Sequence, residues 1–531
     1  MRHAAALTAL LLLGLFARSF YLRWQMLLAS PYPLGVDGYF YPIQLRALLE
    51  QGQLAYPASP LAFWLMAPLA AATDPITGAK LGAALAGAAV VWPAYALGAR
   101  LGQRRVAGLA AAVVAVSSTG SLMLTVDFVK NSFGVCAGLA ALAALLAALD
   151  RPSSRWRLAL AALAFAAALA THKMAAGLVL LAGLPALIAW AWQRGGRALR
   201  VGGAALALGV VGLVVAGALE PARFLSLAQL DLLRGVVTGT WRWDAPALVV
   251  GTYQLPLDGE AWKAGLACAL AAVALLAASR WGATREPRPR PEVTALTWAL
   301  LGLGLLLAWP ALAVEDPQGL GFRLRLVAFV PMAAAAAVLV GQGAALGLAL
   351  GDRWAAFASQ AAARAGQAAA RAVLLVRLLR LLLLVLLVLG LGLWVARAPA
   401  RLTRGVVYAH PAMIAAVRGL ASAVPRGELV LVSERHLAFM VTWYARVDTA
   451  VHPARPPRHR WRLMPLAFIG ERTPMARALA AARREPELLP PRGFHAMHRD
   501  GLVLVSEDTW PWILEQLPPA ARRYYEEWRS L

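Results

Sequence analysis

The chain has 531 residues, 60% of them hydrophobic, and a mean hydropathy of +0.62, which excludes an ordinary water-soluble globular protein. Its formal net charge is +24, but only four of the 51 basic residues are Lys. The other basic residues are Arg, many of them in short loops where they orient helices, so the charge is weak evidence for nucleic acid and we expect no such partner. The two cysteines, Cys136 and Cys268, both fall in apolar stretches, which excludes a disulfide framework or a thiol metal site.

Apolar stretches of about twenty residues recur along the chain, each long enough to cross about 30 Å of hydrocarbon. The first begins like a signal peptide, but Arg18 and Arg23 stand where a cleavage site needs small residues, so we expect a retained anchor. We predict a polytopic helical protein with eleven transmembrane spans, near 4–22, 81–99, 106–124, 131–149, 158–171, 174–192, 201–219, 261–279, 293–313, 326–350 and 373–396.

Arginine clusters orient these spans, because positively charged loops stay on the cytoplasmic side. The clusters recur at every second loop, around residues 100–105, 151–157, 194–200, 280–290 and 353–371. We therefore predict a cell-membrane protein with a cytoplasmic N-terminus. The apolar stretch 61–72 is too short to span, and we expect an interfacial or re-entrant helix within a first outer loop, 23–80.

The sequence changes character after the last predicted span. Hydrophobicity falls, and Leu-Val-Leu-Val-Ser-Glu occurs twice, at 429–434 and 502–507, each an apolar run that indicates a buried strand. Helical patterns surround both copies. The predicted fold is thus an all-α transmembrane domain over 1–396, followed by a small α/β extracytoplasmic domain over 397–531.

The polar residues beside the spans separate by side in this topology. The cytoplasmic loops carry Arg and little else that is reactive, whereas the outer loops hold ionisable residues that are costly near a membrane and therefore favour function. Carboxylates, arginines and lysines at one face suit a reaction that deprotonates an acceptor while an anionic group leaves. The outer residues are Asp37, Asp127, Lys130, Asn131, His172, Lys173, Glu220, Asp231, Glu315, Asp316, Arg323 and Arg325.

The leading candidates also have structural interpretations, which the sequence leaves open. Asp37 begins an Asp-Gly pair typical of turns, and Asp127 with Lys130 suits capping and charge at helix ends. His172 is a lone interfacial histidine of a kind that often snorkels or forms a hydrogen bond. The pair Arg323 and Arg325 suits either interfacial anchoring or bidentate binding of a lipid phosphate.

The chain has no Gly-rich phosphate loop before a helix, no His-Glu-x-x-His motif and no nucleophile elbow. With no nucleotide-binding pattern, a membrane-borne, phosphate-linked donor is favoured over a soluble sugar nucleotide. A transporter or lipid flippase is the competing class, since it also buries charges, but the spans show no convincing internal repeat. A non-catalytic membrane scaffold is the third possibility.

Three stretches, taken together, resemble a known superfamily. Asp37 follows the first span in Gly35-Val36-Asp37-Gly38-Tyr39-Phe40-Tyr41, ahead of an amphipathic stretch at 44–49; Asp127 with Asn131 falls in the next outer loop; and Gly321-Phe322-Arg323 precedes a span. This pattern resembles the GT-C superfamily of polytopic glycosyltransferases, which includes protein O-mannosyltransferases, the lipid A aminoarabinose transferase and oligosaccharyltransferase catalytic subunits. The tail lacks the Trp-Trp-Asp-Tyr-Gly motif of the last group, which favours transfer of a single sugar.

The resemblance implies a membrane glycosyltransferase that moves a sugar from a polyprenyl-phosphate donor to a lipid, glycan or protein acceptor on the outer face, with membrane lipids around it. Asp37 would be the general base. Asp127 would orient the acceptor or share a divalent cation, Mg²⁺ or Mn²⁺, with Asp37, although Asp37 lacks the second acidic neighbour of many members. Arg323, helped by Lys130 or Arg325, would neutralise the departing phosphate. His172 and Glu315 would be secondary catalytic candidates.

Overall fold

The computed structural model describes residues 2–35, 37–196, 257–281, 289–308 and 326–345, with isolated positions between 203 and 219 and short segments between 414 and 506. Within residues 2–345 the regular structure of these described parts is helical, as predicted. The helices are α1 (Arg2–Leu28), α2 (Phe40–Gln51), α3 (Leu61–Ala72), α4 (Pro75–Ala89), α5 (Val91–Leu101), α6 (Arg105–Ser117), α7 (Thr119–Val126), α8 (Val129–Asp150), α9 (Arg155–Thr171), α10 (Lys173–Arg194), α11 (Leu257–Trp281), α12 (Pro291–Leu307) and α13 (Phe329–Ala345).

Several helices have the length and composition of membrane spans. Five described helices qualify, with α4 and α5 counted as one, and α6 with α7 adds a sixth if this bent pair is one span. The protein is therefore a multi-pass membrane protein. The number eleven stays a prediction, because the predicted spans at 201–219 and 373–396 lie largely or wholly outside the described residues. The helix α3 has 12 residues, or about 18 Å, which agrees with the short helix predicted there.

The predicted continuous span 106–124 is instead two helices that meet at a bend of 49°. Ser118 stands between them with an extended backbone, and its hydroxyl accepts a hydrogen bond from the Ser121 N–H at 3.0 Å. A serine in this position caps the N-terminus of the new helix α7. Hydropathy alone missed the break because the stretch stays apolar on both sides of it.

Asp150 joins three helices at the end of the bundle that is predicted to be cytoplasmic. Its carboxylate accepts hydrogen bonds from Arg100 at 2.7 Å and from Arg290 at 3.0 Å. These residues lie at the end of α5, the end of α8 and the start of α12. Three of the predicted cytoplasmic connections thus meet at the C-terminal end of α8. This helix has 22 residues and is about 33 Å long, so they lie far from its start at Val129. The side of the membrane on which they lie stays a prediction.

The tail contains a five-stranded mixed sheet and one described helix, α14 (Arg435–Tyr444). The strand order is β2-β1-β3-β5-β4, with β1 parallel to β2 and β3, and β5 antiparallel to β3 and β4. Both Leu-Val-Leu-Val repeats form strands. Whether the tail is a separate extracytoplasmic domain starting at 397 stays a prediction. The strands are β1 (Leu429–Val432), β2 (Asp448–Val451), β3 (Trp461–Pro465), β4 (Phe494–Met497) and β5 (Leu502–Ser506).

The chain forms two compact units, and neither is a continuous segment. The first contains Met1–Ala29, Tyr56–Met66 and Lys80–Gly405, and therefore most of the apolar helices. The second contains Ser30–Ala55, Ala67–Ala79 and Val406–Leu531, so the start of the first outer loop and the tail belong to one unit. The candidate residues accordingly fall into two sets, one in each unit.

Candidate functional site

In the first unit, four of the predicted site residues lie at one end of α7, α8 and α10. Asp127 closes α7, and its backbone N–H donates to the Met123 carbonyl at 2.9 Å. Only 1% of Asp127 is exposed. Lys130 and the buried Asn131 follow in the first turn of α8. We call Asp127, Lys130, Asn131 and His172 the α8 cluster.

His172 belongs to this cluster because α10 begins beside the first turns of α8. A Cβ placed on Gly134 would lie 3.1 Å from the His172 Cβ, so the two backbones approach closely. The Met174 N–H donates to the Nδ1 atom of His172 at 3.1 Å, which makes His172 the N-cap of α10. A neutral His172 then carries its proton on Nε2, so this atom is a hydrogen-bond donor and not a base.

The α8 cluster combines one carboxylate with several hydrogen-bond donors. The Lys130 ammonium lies 5.9 Å from the ring centroid of Phe63, over its face. The Nδ2 atom of Asn131 is buried and has no hydrogen-bond partner among the described residues. Donors at the N-terminus of a helix favour a negatively charged group, since the helix dipole is positive there.

Arg23, which the sequence indicated only as a sign of a retained anchor, lies inside α1 and is 1% exposed. Its guanidinium donates to the hydroxyls of Ser19, Ser121 (2.8 Å) and Thr125 (3.1 Å), and to the Val116 carbonyl (3.1 Å). That carbonyl belongs to the last turn of α6, whose negative dipole end favours a cation. Among the described residues no carboxylate pairs with Arg23, so the end of α6 compensates its charge.

The other side of the same break holds a second buried charge, Glu260. Its Oε2 atom accepts a hydrogen bond from the Gly120 N–H in the first turn of α7 at 2.8 Å. Its Oε1 atom is buried without a partner in the described part of the chain. Arg23 and Glu260 therefore occupy the two helix ends at the break, each with the charge that the adjacent dipole prefers. The Ser-Ser-Thr-Gly run at 117–120, which the sequence analysis did not use, is the signal that could have found this break, because Ser and Thr are typical N-cap residues.

In the second unit, Asp37 is 9% exposed and opens a tight turn at 37–40. The Phe40 N–H donates to the Asp37 carbonyl at 3.0 Å, and we call this segment the Asp37 turn. Gly38 packs so closely that a Cβ there would collide with the Leu34 carbonyl oxygen. The turn interpretation of Asp-Gly is thus confirmed. It does not exclude a catalytic role, because the hydrogen bond at this turn is accepted by the backbone carbonyl of Asp37.

Tyr39, in the Asp37 turn, contacts the tail. Its hydroxyl shares a hydrogen bond of 3.0 Å with the hydroxyl of Tyr444, and the two rings meet edge to face at 5.5 Å. Phe40 packs against Phe439 with ring centroids 5.4 Å apart and the two rings tilted by 51°. Burial, followed by the hydrogen bond to Tyr444, raises the pKa of Tyr39 above its ordinary value, and burial also raises the pKa of Tyr444.

Two arginines add to this contact. The Arg46 guanidinium on α2 lies 4.4 Å from the ring centroid of Trp443 and donates to the Trp443 carbonyl at 3.2 Å. The Arg418 guanidinium lies 4.9 Å from the ring centroid of Tyr444. We call the contact of Tyr39, Phe40 and Arg46 with Phe439, Trp443 and Tyr444 the α2–α14 clamp.

The remaining predicted site residues cannot be placed. The acidic residues Glu220, Asp231, Glu315 and Asp316 and the arginines Arg323 and Arg325 lie outside the described residues. Where the structure is described, no three His, Cys, Asp or Glu side chains form a group able to hold a metal ion. The described donors therefore do not fit a protein-held Mg²⁺ or Mn²⁺ site.

Residues 57–218 match the model of a protein family described as dolichyl-phosphate-mannose-protein mannosyltransferase. This match confirms the resemblance to the GT-C superfamily. At this level the function is that of a membrane glycosyltransferase of GT-C type. The matched residues contain α3 to α10 and thus the whole α8 cluster, whereas Asp37 and the tail lie outside the match. No curated protein matches the chain significantly.

Solved membrane-enzyme structures, an ArnT and an oligosaccharyltransferase, align with the chain over most of its length at low identity. ArnT from Cupriavidus metallidurans, bound to undecaprenyl phosphate, aligns over 94% of this chain and 97% of its own, with 13% identity and a TM-score of 0.46. An oligosaccharyltransferase from Archaeoglobus fulgidus, in complex with Zn and sulfate, aligns over 89% and 70%, with 12% identity and a TM-score of 0.47. At such TM-scores these structures define no residue of the site.

Proposed function

We propose that this chain transfers one sugar from a polyprenyl-phosphate donor to an acceptor on the outer face of the membrane. The observation that carries the proposal is the location of the α8 cluster inside the family match at 57–218. The description of that family names a sugar linked to a dolichyl phosphate as donor and a protein as acceptor. The same chemistry requires donors for a phosphate and a base for a hydroxyl.

In the proposed reaction the acceptor hydroxyl attacks the anomeric carbon, and the bond from this carbon to the phosphate oxygen breaks. Asp37 takes the hydroxyl proton, and polyprenyl phosphate leaves. Lys130 stabilises the leaving phosphate together with Arg323 and Arg325, because cations that face developing negative charge lower the barrier. Asn131 and the start of α8 add neutral donors to the phosphate side.

Two further residues receive limited roles. Asp127 orients either the acceptor or the neighbouring Lys130. His172 caps the start of α10, and its Nε2–H is a further hydrogen-bond donor for the substrate. Glu315 stays a secondary proposal on sequence grounds. No step of this reaction passes through Mg²⁺ or Mn²⁺. A rate that depends on added Mg²⁺ would contradict this metal-free scheme.

The alternative proposal is a transporter or lipid flippase, whose broken helices usually point open ends at the cargo. The α6–α7 break is the feature of this chain that resembles a transporter. Here, however, Arg23 and Glu260 occupy the helix ends at the break, so the protein itself satisfies groups that a cargo would bind. This capping favours a structural break and supports the transferase over the transporter.

The deciding experiment measures the release of free polyprenyl phosphate from a labelled polyprenyl-phosphate sugar by the purified protein. We expect release that depends on added acceptor. A flippase would instead move the intact donor between leaflets, and a scaffold would do neither. Absence of acceptor-dependent release across lipid, glycan and protein acceptors would overturn the proposal.

The base assignment is tested with Asp37→Asn, which should lower the rate by about 10²–10⁴-fold, the usual contribution of general-base catalysis. The matched control is Asp74→Asn. Asp74 is exposed and caps α4 by accepting from the Ile76 N–H at 2.8 Å, and an asparagine caps equally well. The control should keep full activity. An Asp37→Asn protein with normal activity would refute the assignment.

A further inference from the structure

The α2–α14 clamp joins two segments that lie about four hundred positions apart, since Tyr39 and Tyr444 are separated by 405 residues. All of its members belong to the second unit. Its tail side is α14, which also connects the parallel strands β1 and β2. The clamp therefore anchors the start of the first outer loop to the sheet of the tail.

The clamp acts on the residues immediately after Asp37. Tyr39 is held through its hydroxyl and its ring, and Phe40 through its ring. The N–H of Phe40 is bonded to the Asp37 carbonyl, and the N–H of Ile43 to the Tyr39 carbonyl. Fixing these two aromatic side chains fixes the backbone on which Asp37 stands.

Arg46 reinforces the clamp one and a half turns further along α2. Besides stacking on Trp443, it donates to the carbonyls of Trp443 (3.2 Å) and Thr442 (3.4 Å) at the end of α14. These carbonyls lack partners within their own helix, and a cation there is favoured by the dipole. The contact thus satisfies the C-terminus of α14 and orients this helix against α2.

We infer that Tyr444 is a positioning residue for glycosyl transfer, which acts through Tyr39 to hold the Asp37 carboxylate in its reactive place. The inference rests on the proposed function, since Asp37 needs positioning only if it is the base. A base must reach hydrogen-bond distance of the proton it removes, and a displacement of about 1 Å costs on the order of 100-fold in rate. The tail is then part of the catalytic apparatus.

The kinetic test uses the full-length protein with Tyr444→Phe, which keeps the ring and removes the shared hydrogen bond. We expect kcat to fall by about 5- to 100-fold with the KM for donor unchanged, because the base is misplaced but donor contacts are not. Tyr39→Phe should cost the same factor, and the double variant no more than either single one. Tyr21→Phe, an exposed tyrosine on α1, is the matched control and should keep the wild-type kcat.

A second comparison separates positioning from general structural damage. In an Asp37→Asn protein there is no base to position, so Tyr444→Phe should reduce the residual rate no further. An equal loss of kcat in the presence and absence of the Asp37 carboxylate would overturn the inference. So would unchanged kcat in both single phenylalanine variants.

Hydrogen exchange keeps the test independent of the proposed function. In the full-length protein in lipid nanodiscs, the amides of Phe40 and Ile43 should exchange about 3- to 10-fold faster in Tyr444→Phe than in Tyr21→Phe, since loss of one hydrogen bond lowers local stability. Unchanged exchange would refute the clamp, whatever the activity. Faster exchange in a protein that releases no polyprenyl phosphate would keep the clamp and refute the transferase.

Discussion

Arg23 is a cation in the apolar part of α1 whose hydrogen-bond acceptors are all neutral oxygens. Its planar fork of N–H donors reaches α6 and α7 simultaneously, which a lysine ammonium cannot reproduce. Gly87 leaves the necessary room, because a Cβ there would collide with the Arg23 guanidinium and the Thr125 hydroxyl. Arg23 thus links α1 to α6 and α7 through buried hydrogen bonds.

Arg23→Lys should lower the free energy of unfolding by about 1–3 kcal/mol, since it leaves buried acceptors unsatisfied. Unfolding in mixed micelles measures the change. The control is Arg18→Lys, at an exposed position on the same helix, which should stay within about 0.5 kcal/mol of the wild type. Equal stability of the two variants would contradict the fastening role.

Gly38 offers a second residue-scale test, because any side chain there meets the Leu34 carbonyl. Gly38→Ala must open the Asp37 turn, and we expect at least about a 10-fold loss of transferase rate from the displaced base. Gly177→Ala on α10 is the control, since a Cβ there meets nothing within 4 Å. Comparable rates in the two alanine variants would show that the turn tolerates displacement.

At the scale of elements, the α6–α7 break depends on groups supplied by other helices. Glu260→Ala removes the acceptor of the Gly120 N–H and should cost about 1–3 kcal/mol of stability, whereas Glu260→Gln retains an acceptor oxygen and should cost less. The thermal midpoint in detergent reports both. Glu50→Ala, at an exposed position on α2, should leave it unchanged. A glutamine variant as unstable as the alanine variant would mean that the charge, not the hydrogen bond, matters.

Hydropathy predicted the helices that are long and apolar, such as α8 and α10, and also the short α3. It did not predict the break at Ser118, because a cap of one hydroxyl changes the direction of a helix without changing its apolar character. The alternation of loops predicted that the residues of the α8 cluster lie at the same end of the helices. The α2–α14 clamp could not be predicted, since pairing of Tyr39 with Tyr444 depends on tertiary packing that no local pattern in one sequence contains.

For the whole molecule, the side of the membrane on which each end lies is the prediction with the widest consequences. Asp150 groups the arginine-rich ends of α5, α8 and α12, and the positive-inside rule assigns such ends to the cytoplasm. The end of α1 should then face outward with the α8 cluster. Both assignments follow from the same alternation of loops, so one experiment tests them together.

Single-cysteine variants provide that experiment, after Cys136 and Cys268 are replaced by alanine. Ala29→Cys, at an exposed position after α1, should react in intact cells with a membrane-impermeant maleimide. Ser153→Cys, exposed between α8 and α9, should react only after the cells are opened. The reverse pattern would place the arginine-rich ends outside and remove the topological basis of the site.

The 405 residues between Tyr39 and Tyr444 also set a schedule for biosynthesis. A ribosome adds about 5–20 residues per second, so the partner of Tyr39 emerges roughly 20–80 s after Tyr39 itself. Throughout this interval the nascent chain lies in the bilayer while Asp37, the proposed base, lacks its contact through Tyr39 with the tail. Chains that end before Tyr444 would stay in that state, so we expect truncated chains to be inactive if Asp37 is the base that the tail positions.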